Sequence, residues 1–290
     1  MSSSCPPKQR EELSMGVYAD RASLAQAQLL FDSLTTLEEK VAQLCFYETK
    51  AFYDAKLQHD AELLIQAWQI GGILFTGGEY KRQAYLIEQF QTLAKTPLLI
   101  GNDFLHGLSF YYEDHHLPTF EGGISEKRFS DLGKAIMVLG RRINIHFQID
   151  RESKVHHIPM TELHIKAFRK GIRQAHGIVA RTQPPKSNRD LKPKTPFFSM
   201  PQTPLTFSKD GAQEHIGVKY LNFLDLTDEN IDEKKILEAF KEHYEIFLCG
   251  SNIHNVITTI TSAVHSGKIW EKHIDRLVIK LLVLKALYKR

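Results

Sequence analysis

Short apolar segments alternate with helical patterns along most of this chain, and this alternation limits the folds open to it. Each apolar segment is bounded by glycine, proline or polar residues and is short enough to be a strand. The segments are Gly72–Phe75, Pro97–Gly101, Ile143–Phe147, Gly177–Ala180, Tyr220–Leu224 and Ile246–Cys249. Helical patterns lie between most of them, at 80–95, 125–140, 161–175, 231–243 and 252–267.

This order of strands and helices predicts βαβ units and therefore a parallel sheet. Six or seven units in one chain favour a closed β/α barrel, with an open sheet as the alternative. Functional residues of a barrel belong at the C-terminal ends of its strands. Those ends are predicted at Thr76–Gly78, Asn102–Gly107, Gln148–Asp150, Arg181–Gln183, Asp225–Asp228 and Gly250–Asn252.

The beginning of the chain predicts two helices before the first glycine-bounded strand. Residues 1–20 are polar and are predicted to be flexible, whereas the pattern from Ala22 to Asp32 is helical. The next helix covers 37–44, and Thr35 or Thr36 can cap it because glutamates follow one turn later. Residues 21–290 are accordingly predicted to form one barrel domain.

The last residues, 268–290, are basic and apolar and predict a C-terminal helix packed against the barrel. A membrane-surface helix is the alternative, but the stretch from Leu277 to Leu287 is too apolar all round for that role. Residues 181–206 are rich in proline and basic residues, which favours a long loop at the barrel rim over a nucleic-acid tail.

Composition excludes several classes of function. The chain has 37 basic and 34 acidic residues, so it has no global field for binding DNA or an anionic membrane. Cys5, Cys45 and Cys249 are too widely spaced for a disulfide framework or a zinc site, and the latter two are predicted core residues. The N-terminal residues contain no apolar stretch of the signal-peptide kind, which predicts a cytoplasmic protein.

Five segments in one order resemble a known family. They are LEEKVAQL at 37–44, IGGILF at 70–75, TPLLIGND at 96–103, LGRRINIHF at 139–147, and SAVHSGKI at 262–269 with the residues that follow it. Together they resemble glycoside hydrolase family 3, and in particular the bacterial β-N-acetylglucosaminidases that recycle peptidoglycan. The resemblance covers residues 33–290 and implies a (β/α)8-type TIM barrel.

The resemblance also implies that this barrel is shortened. The chain between Asp150 and His156 is too short for the strand-five region of the family, including its KHFPGHG loop. Asp103 matches the aspartate that binds the terminal sugar. His106 and Gly107 lie in the same loop, although the glutamate and both arginines of the family are absent from it.

The catalytic positions of the family are altered in this sequence. The nucleophile position falls on Asn222, Leu224 or Asp225, depending on the register, and Asp225 is the one carboxylate among them. The proton-donating histidine of the family falls on Val155, so His156 or His157 could replace it only if the loop is shifted. The predicted catalytic residues are therefore Asp225, His156 and His157.

These residues lead to three hypotheses. The first is a family 3 hydrolase with weakened or lost catalysis on peptidoglycan-derived aminosugars. The second is a non-catalytic protein that binds an aminosugar, a muropeptide or a protein partner. The third is another barrel enzyme whose site is built from His106, His115, His116, His156 and His157. No cofactor and no metal are predicted, because adjacent loop residues such as His115 and His116 rarely share one ion.

Overall fold

Seven parallel strands form one closed barrel in strand order β1 to β7, with β7 pairing back onto β1. The computed structural model describes residues 21–51, 54–103, 125–150, 162–175, 178–181, 220–227 and 232–288. The strands are β1 Cys45–Ala51, β2 Gly72–Gly78, β3 Leu99–Asp103, β4 Phe147–Asp150, β5 Ile178–Arg181, β6 Tyr220–Asp225 and β7 Ile246–Cys249. The barrel is therefore closed by seven described strands, one fewer than the eight of a complete TIM barrel.

Nine described helices accompany the strands. They are α1 Arg21–Asp32, α2 Leu37–Gln43, α3 Ala55–Trp68, α4 Tyr80–Leu93, α5 Glu126–Arg141, α6 Glu162–Gln174, α7 Glu233–Lys241, α8 Ile253–His265 and α9 Glu271–Tyr288. Within the described ranges, no helix combines the length and the apolar character needed to cross a membrane.

The shortened α/β barrel is confirmed, with two corrections to its elements. The strand predicted at Ile143–Phe147 begins only at Phe147, because the amides of Ile143, Asn144 and Ile145 bond back to the end of α5. The first strand, Cys45–Ala51, and helix α3 were not predicted at all. Glu48, Thr49 and Lys50 interrupt the apolar pattern of β1, so the segment does not read as a buried strand.

Helix α2 begins with the capping box that its sequence predicts. Thr36 Oγ1 accepts a hydrogen bond from the Glu39 amide at 3.1 Å, and Glu39 Oε2 accepts one from the Thr36 amide at 3.1 Å. Two amides that the first turn leaves without helical partners are satisfied in this way. The helix then delivers the chain to β1 at Cys45, which is buried with a free thiol, as is Cys249 of the neighbouring β7.

Three phenylalanine rings fill the barrel interior. Phe46, Phe147 and Phe223 come from β1, β4 and β6, are fully buried, and have ring centroids 5.3–5.9 Å apart. The rings find space because β2 and β3 present Gly72 and Gly101 at this level. A Cβ atom at Gly101 would lie 2.1 Å from the Phe147 ring, and one at Gly72 would lie 2.3 Å from the Phe46 ring.

Helix α9 crosses the end of the barrel at which the strands begin, and it closes that end. Lys280 contacts Glu245 just before β7, and at the far end of the helix the Tyr288 ring stacks on His146, just before β4, at 4.9 Å. Its second half is buried on all sides, because α1 packs along the face that the barrel does not cover. We call this end of the barrel the floor.

Lys285 is enclosed between α9 and the floor. It is 2 % exposed, and its Nζ donates to Gln43 Oε1 at 2.6 Å, while Gln43 Nε2 donates to the Gln69 carbonyl. Burial lowers the pKa of Lys285 to about 7, because the charged ammonium loses its hydration there. A polar chain thus runs through an otherwise apolar layer.

Gly101→Ala is expected to destabilise the barrel, because the added methyl group must displace the Phe147 ring. The expected loss in the free energy of unfolding, measured by urea denaturation, is about 1–3 kcal/mol. Gly140→Ala is the matched control, since the new Cβ would lie 3.2 Å or more from the Ile145 side chain and alanine favours the helix. Equal losses in both variants would contradict the role of Gly101.

Stability is expected to rise between pH 7 and pH 10 because of Lys285. The pKa is lowered on folding, so the unfolded chain holds the proton over this window and the folded protein does not. Below the folded pKa the full cost of burying the charge, on the order of a few kcal/mol, destabilises the fold. Urea denaturation across this window should show the rise in wild type and a much flatter profile in Lys285→Met.

The surface substitution Lys268→Met is the control for that profile, because this lysine is about half exposed and pairs with Glu233. Its pH profile should keep the slope of the wild-type protein. A wild-type slope in Lys285→Met as well would show that other groups cause the pH dependence.

Candidate functional site

The C-terminal ends of the strands form the other end of the barrel, which we call the mouth. Phe46 points into the interior, so the pleat of β1 also turns Glu48 inward and turns Tyr47 outward. Burial raises the pKa of Tyr47, and the carboxylates of Asp60, Asp54 and Glu48 raise it further. Glu48 is therefore an inner-face carboxylate at the mouth, and it is partly exposed.

Strand β6 brings Asp225 to the mouth in the same way. Phe223 points inward, whereas Asn222 faces outward and donates from Nδ2 to the His243 carbonyl at 3.3 Å. Alternation along the strand then places Asp225 on the inner face and Leu224 on the outer face. Of the three positions between which the sequence could not choose a nucleophile, only Asp225 has a carboxylate that faces the interior.

Strand β3 carries Asp103 as its last residue. Asn102 faces outward, where its side chain hydrogen bonds with Gln83 of α4, and Gly101 faces the Phe147 ring in the interior. Asp103 is consequently on the inner face, and it is 0 % exposed. The sequence prediction that Asp103 lies at the end of a buried strand is correct in this respect.

Glu48, Asp103 and Asp225 occupy one level of the barrel, which we call the carboxylate layer. Glu48 and Asp225 each follow a ring of the phenylalanine layer by two residues, and Asp103 follows Gly101, which contacts that layer, by two residues. Two residues along a strand are one inward step, or roughly 6–7 Å. In the described part of the chain, no three His, Cys, Asp or Glu side chains are grouped closely enough to hold a metal ion. The three carboxylates therefore surround the mouth without meeting at one point.

Asp225 also organises the turn that follows β6. Its Oδ1 accepts hydrogen bonds from the Thr227 amide at 3.2 Å and from Thr227 Oγ1 at 2.7 Å. Asp225 is thus a turn acid in its local structure, whereas the N-cap of α7 is Asp232. Burial raises the pKa of the Cys249 thiol, and the neighbouring Cys45 and the charge of Asp225 raise it further, which keeps Cys249 protonated.

The remaining predicted site residues lie outside the described ranges. They are His106 and Gly107 after β3, and His156 and His157 after β4. The same holds for His115 and His116, and for residues 1–20 and 182–206. Their assignments therefore stay predictions.

Glu48 was missed at the sequence level. It lies within FYETK, where nothing marks a strand end, and none of the quoted family motifs includes it. Two signals could have found it: a βα barrel needs a strand before α3, and Phe46 and Glu48 have the two-residue spacing of one strand face.

The described strands and helices define a closed parallel α/β barrel with three acidic residues on the inner face of its mouth. Neither the known protein-family models nor the curated protein sequences include a match to this chain. Solved structures do match it, and they share the fold of family 3 glycoside hydrolases.

A β-glucoside phosphorylase bound to 2FGlc is 13 % identical, with a TM-score of 0.67 over 93 % of this chain and 62 % of its own. The chain thus spans less than two thirds of that relative. A family 3 glycosyl hydrolase from Mycobacterium smegmatis is 13 % identical, with a TM-score of 0.60 over 86 % of this chain and 97 % of its own.

A third similar structure is the β-N-acetylhexosaminidase from Beutenbergia cavernae. It is 12 % identical to this chain, with a TM-score of 0.56 over 85 % of this chain and 97 % of its own. Taken together, these likenesses confirm the resemblance to the family 3 barrel at the level of the fold.

Proposed function

We propose that the protein binds a small carbohydrate at the barrel mouth, through the carboxylate layer. The observation that carries this proposal is Asp103, a fully buried carboxylate on the inner face at the C-terminal end of β3. Ligands of β/α barrels bind at this end. A carboxylate there can accept two hydrogen bonds from neighbouring sugar hydroxyls, and these bonds are strong because the acceptor is charged.

An aminosugar or a muropeptide is the ligand class that we favour. The sequence segments at 37–44 and 96–103 resemble the β-N-acetylglucosaminidases of peptidoglycan recycling, and a β-N-acetylhexosaminidase is among the similar structures. A cytoplasmic location, suited to recycled cell-wall fragments, is part of the same proposal. A protein partner is the alternative ligand of the mouth.

Catalysis is proposed to be weakened or lost. The loop after Asp103 lacks the glutamate and both arginines that the family resemblance implies. Val155 stands at the position where a proton-donating histidine is expected. Each lost contact to the transition state typically costs several kcal/mol, so that coincident losses reduce turnover by orders of magnitude.

Residual hydrolysis is the second candidate function, and the inward position of Asp225 favours it. In such a reaction the Asp225 carboxylate would attack the anomeric carbon while a second group protonates the departing glycosidic oxygen. A water molecule would then attack the anomeric carbon while that group takes its proton, and the bond to the Asp225 carboxylate would break and release the sugar. His156 and His157 are the predicted donors, and Glu48 is the described carboxylate in the same layer that could serve instead.

Binding is tested by thermal unfolding with N-acetylglucosamine and a muropeptide. A ligand that binds only the folded state should raise the Tm as its concentration rises above Kd, by a few degrees at 100-fold excess over Kd. Asp103→Asn should abolish this shift, because the neutral amide replaces a charged acceptor. Asp131→Asn, on the exposed side of α5, is the matched control and should keep it. No shift with any fragment in the wild-type protein would refute sugar binding.

Hydrolysis is tested with 4-nitrophenyl N-acetyl-β-glucosaminide at high enzyme concentration. Asp225→Asn should lower kcat by well over about tenfold, because more than 1.4 kcal/mol of transition-state stabilisation is lost. Asp232→Asn is the matched control, since asparagine caps α7 about as well as aspartate does. Comparison of Glu48→Gln, His156→Gln and His157→Gln should identify the donor. Activity that survives in Asp225→Asn would exclude this mechanism.

A further inference from the structure

A second candidate site lies at the floor end of the barrel, around Trp270. Helix α8 runs from the mouth back to the floor, and Trp270 occupies the turn before α9. Its side chain is 78 % exposed, the highest value among the large apolar residues of the described chain. An indole exposed to this extent adds little buried area to the fold, and it offers a flat aromatic face on which a ring can stack.

A cavity of about 290 Å³ adjoins this indole. It is lined by Trp270, Lys272, His273 and Arg276. Lys272 and Arg276 are four residues apart, so they project from the same face of α9, and His273 is three residues before Arg276. One flat aromatic face and two long cations thus surround a space close to the size of a small-ligand pocket.

The two cations are not neutralised by the described part of the protein. Among the described residues, neither Lys272 nor Arg276 has an ion pair, whereas Lys40, Lys268 and Lys280 do. The acidic residues near the cavity form ion pairs with other lysines. Glu271 and Asp275 both pair with Lys40, and Glu245 pairs with Lys280.

The pKa of His273 is lowered in this region. Burial lowers its pKa, and the charges of Arg276 and His243 lower it further, against a smaller opposing effect of Glu245. Its ring is held edge-on against Phe240 of α7, with centroids 5.6 Å apart. Because its pKa is lowered, the His273 imidazole is neutral at pH 7, and it can donate one hydrogen bond and accept another.

We propose that this cavity, the Trp270 pocket, binds a phosphate monoester that carries a ring. Arg276 can hold two phosphate oxygens with its guanidinium fork, and Lys272 adds a second positive charge. The exposed face of Trp270 stacks on the ring, which is either a base or the apolar face of a sugar. The pocket lies at the end of the barrel opposite the carboxylate layer, so this proposal is independent of sugar binding at the mouth.

The fluorescence of Trp270 tests the proposal directly. The chain has two tryptophans, and Trp68 is partly buried against His254, with ring centroids 5.0 Å apart. In Trp68→Phe, the fluorescence therefore reports Trp270 alone. This variant is titrated with AMP, glucose 6-phosphate, adenosine and inorganic phosphate, and its circular dichroism confirms the fold.

A saturable quench by AMP or by glucose 6-phosphate is expected, and the tighter of the two shows whether the ring is a base or a sugar. Adenosine and inorganic phosphate, which each lack one half of the ligand, should bind at least about tenfold more weakly, a difference of 1.4 kcal/mol. Arg276→Ala and Lys272→Ala should raise Kd at least tenfold. Lys268→Ala removes a nearby paired lysine and should leave Kd unchanged.

Three results would overturn the proposal. The first is the absence of a saturable quench with either phosphate monoester. The second is equal affinity for AMP and adenosine, which would show that the cations take no part. The third is an unchanged Kd in both Arg276→Ala and Lys272→Ala, with melting temperatures showing that these variants remain folded.

Discussion

The mutual contact of Phe46, Phe147 and Phe223 is the interaction on which the rest of the structure depends. A parallel barrel closes only if its interior is filled without voids, and three rings from β1, β4 and β6 fill this one. They fit because Gly72 and Gly101 have no side chains. The same layer sets the direction of every side chain above it, and it thereby places Glu48 and Asp225 on the inner face of the mouth.

The two ends of the barrel differ in the side chains that line them. The floor is covered by α9, whose buried Lys285 bonds to Gln43 in an apolar layer, at a cost in stability that depends on pH. The mouth carries Glu48, Asp103 and Asp225 on its inner face. In β/α barrels ligands bind at the mouth. The proposed sugar site follows this rule, whereas the proposed Trp270 pocket lies at the floor.

One negatively charged region and one positively charged region lie at opposite ends of the barrel. The carboxylate layer suits neutral hydroxyl-bearing ligands, because its acceptors are anionic. The Trp270 pocket suits anions, because Lys272 and Arg276 have no described acidic partner. Electrostatics therefore decides which group each end can take.

The sequence by itself determined the barrel class, a capping box that begins at Thr35 or Thr36, and the position of Asp103 at the end of a buried strand. These features depend on local spacing, which one segment of chain carries alone. Tertiary structure decided the rest. The strand Cys45–Ala51 was missed because Glu48, Thr49 and Lys50 interrupt its apolar pattern, and its two strand partners come from other parts of the chain. Asp225 could not be separated from Asn222 and Leu224 until Phe223 was seen to meet Phe46 and Phe147, since the face of a strand is fixed only by what it packs against.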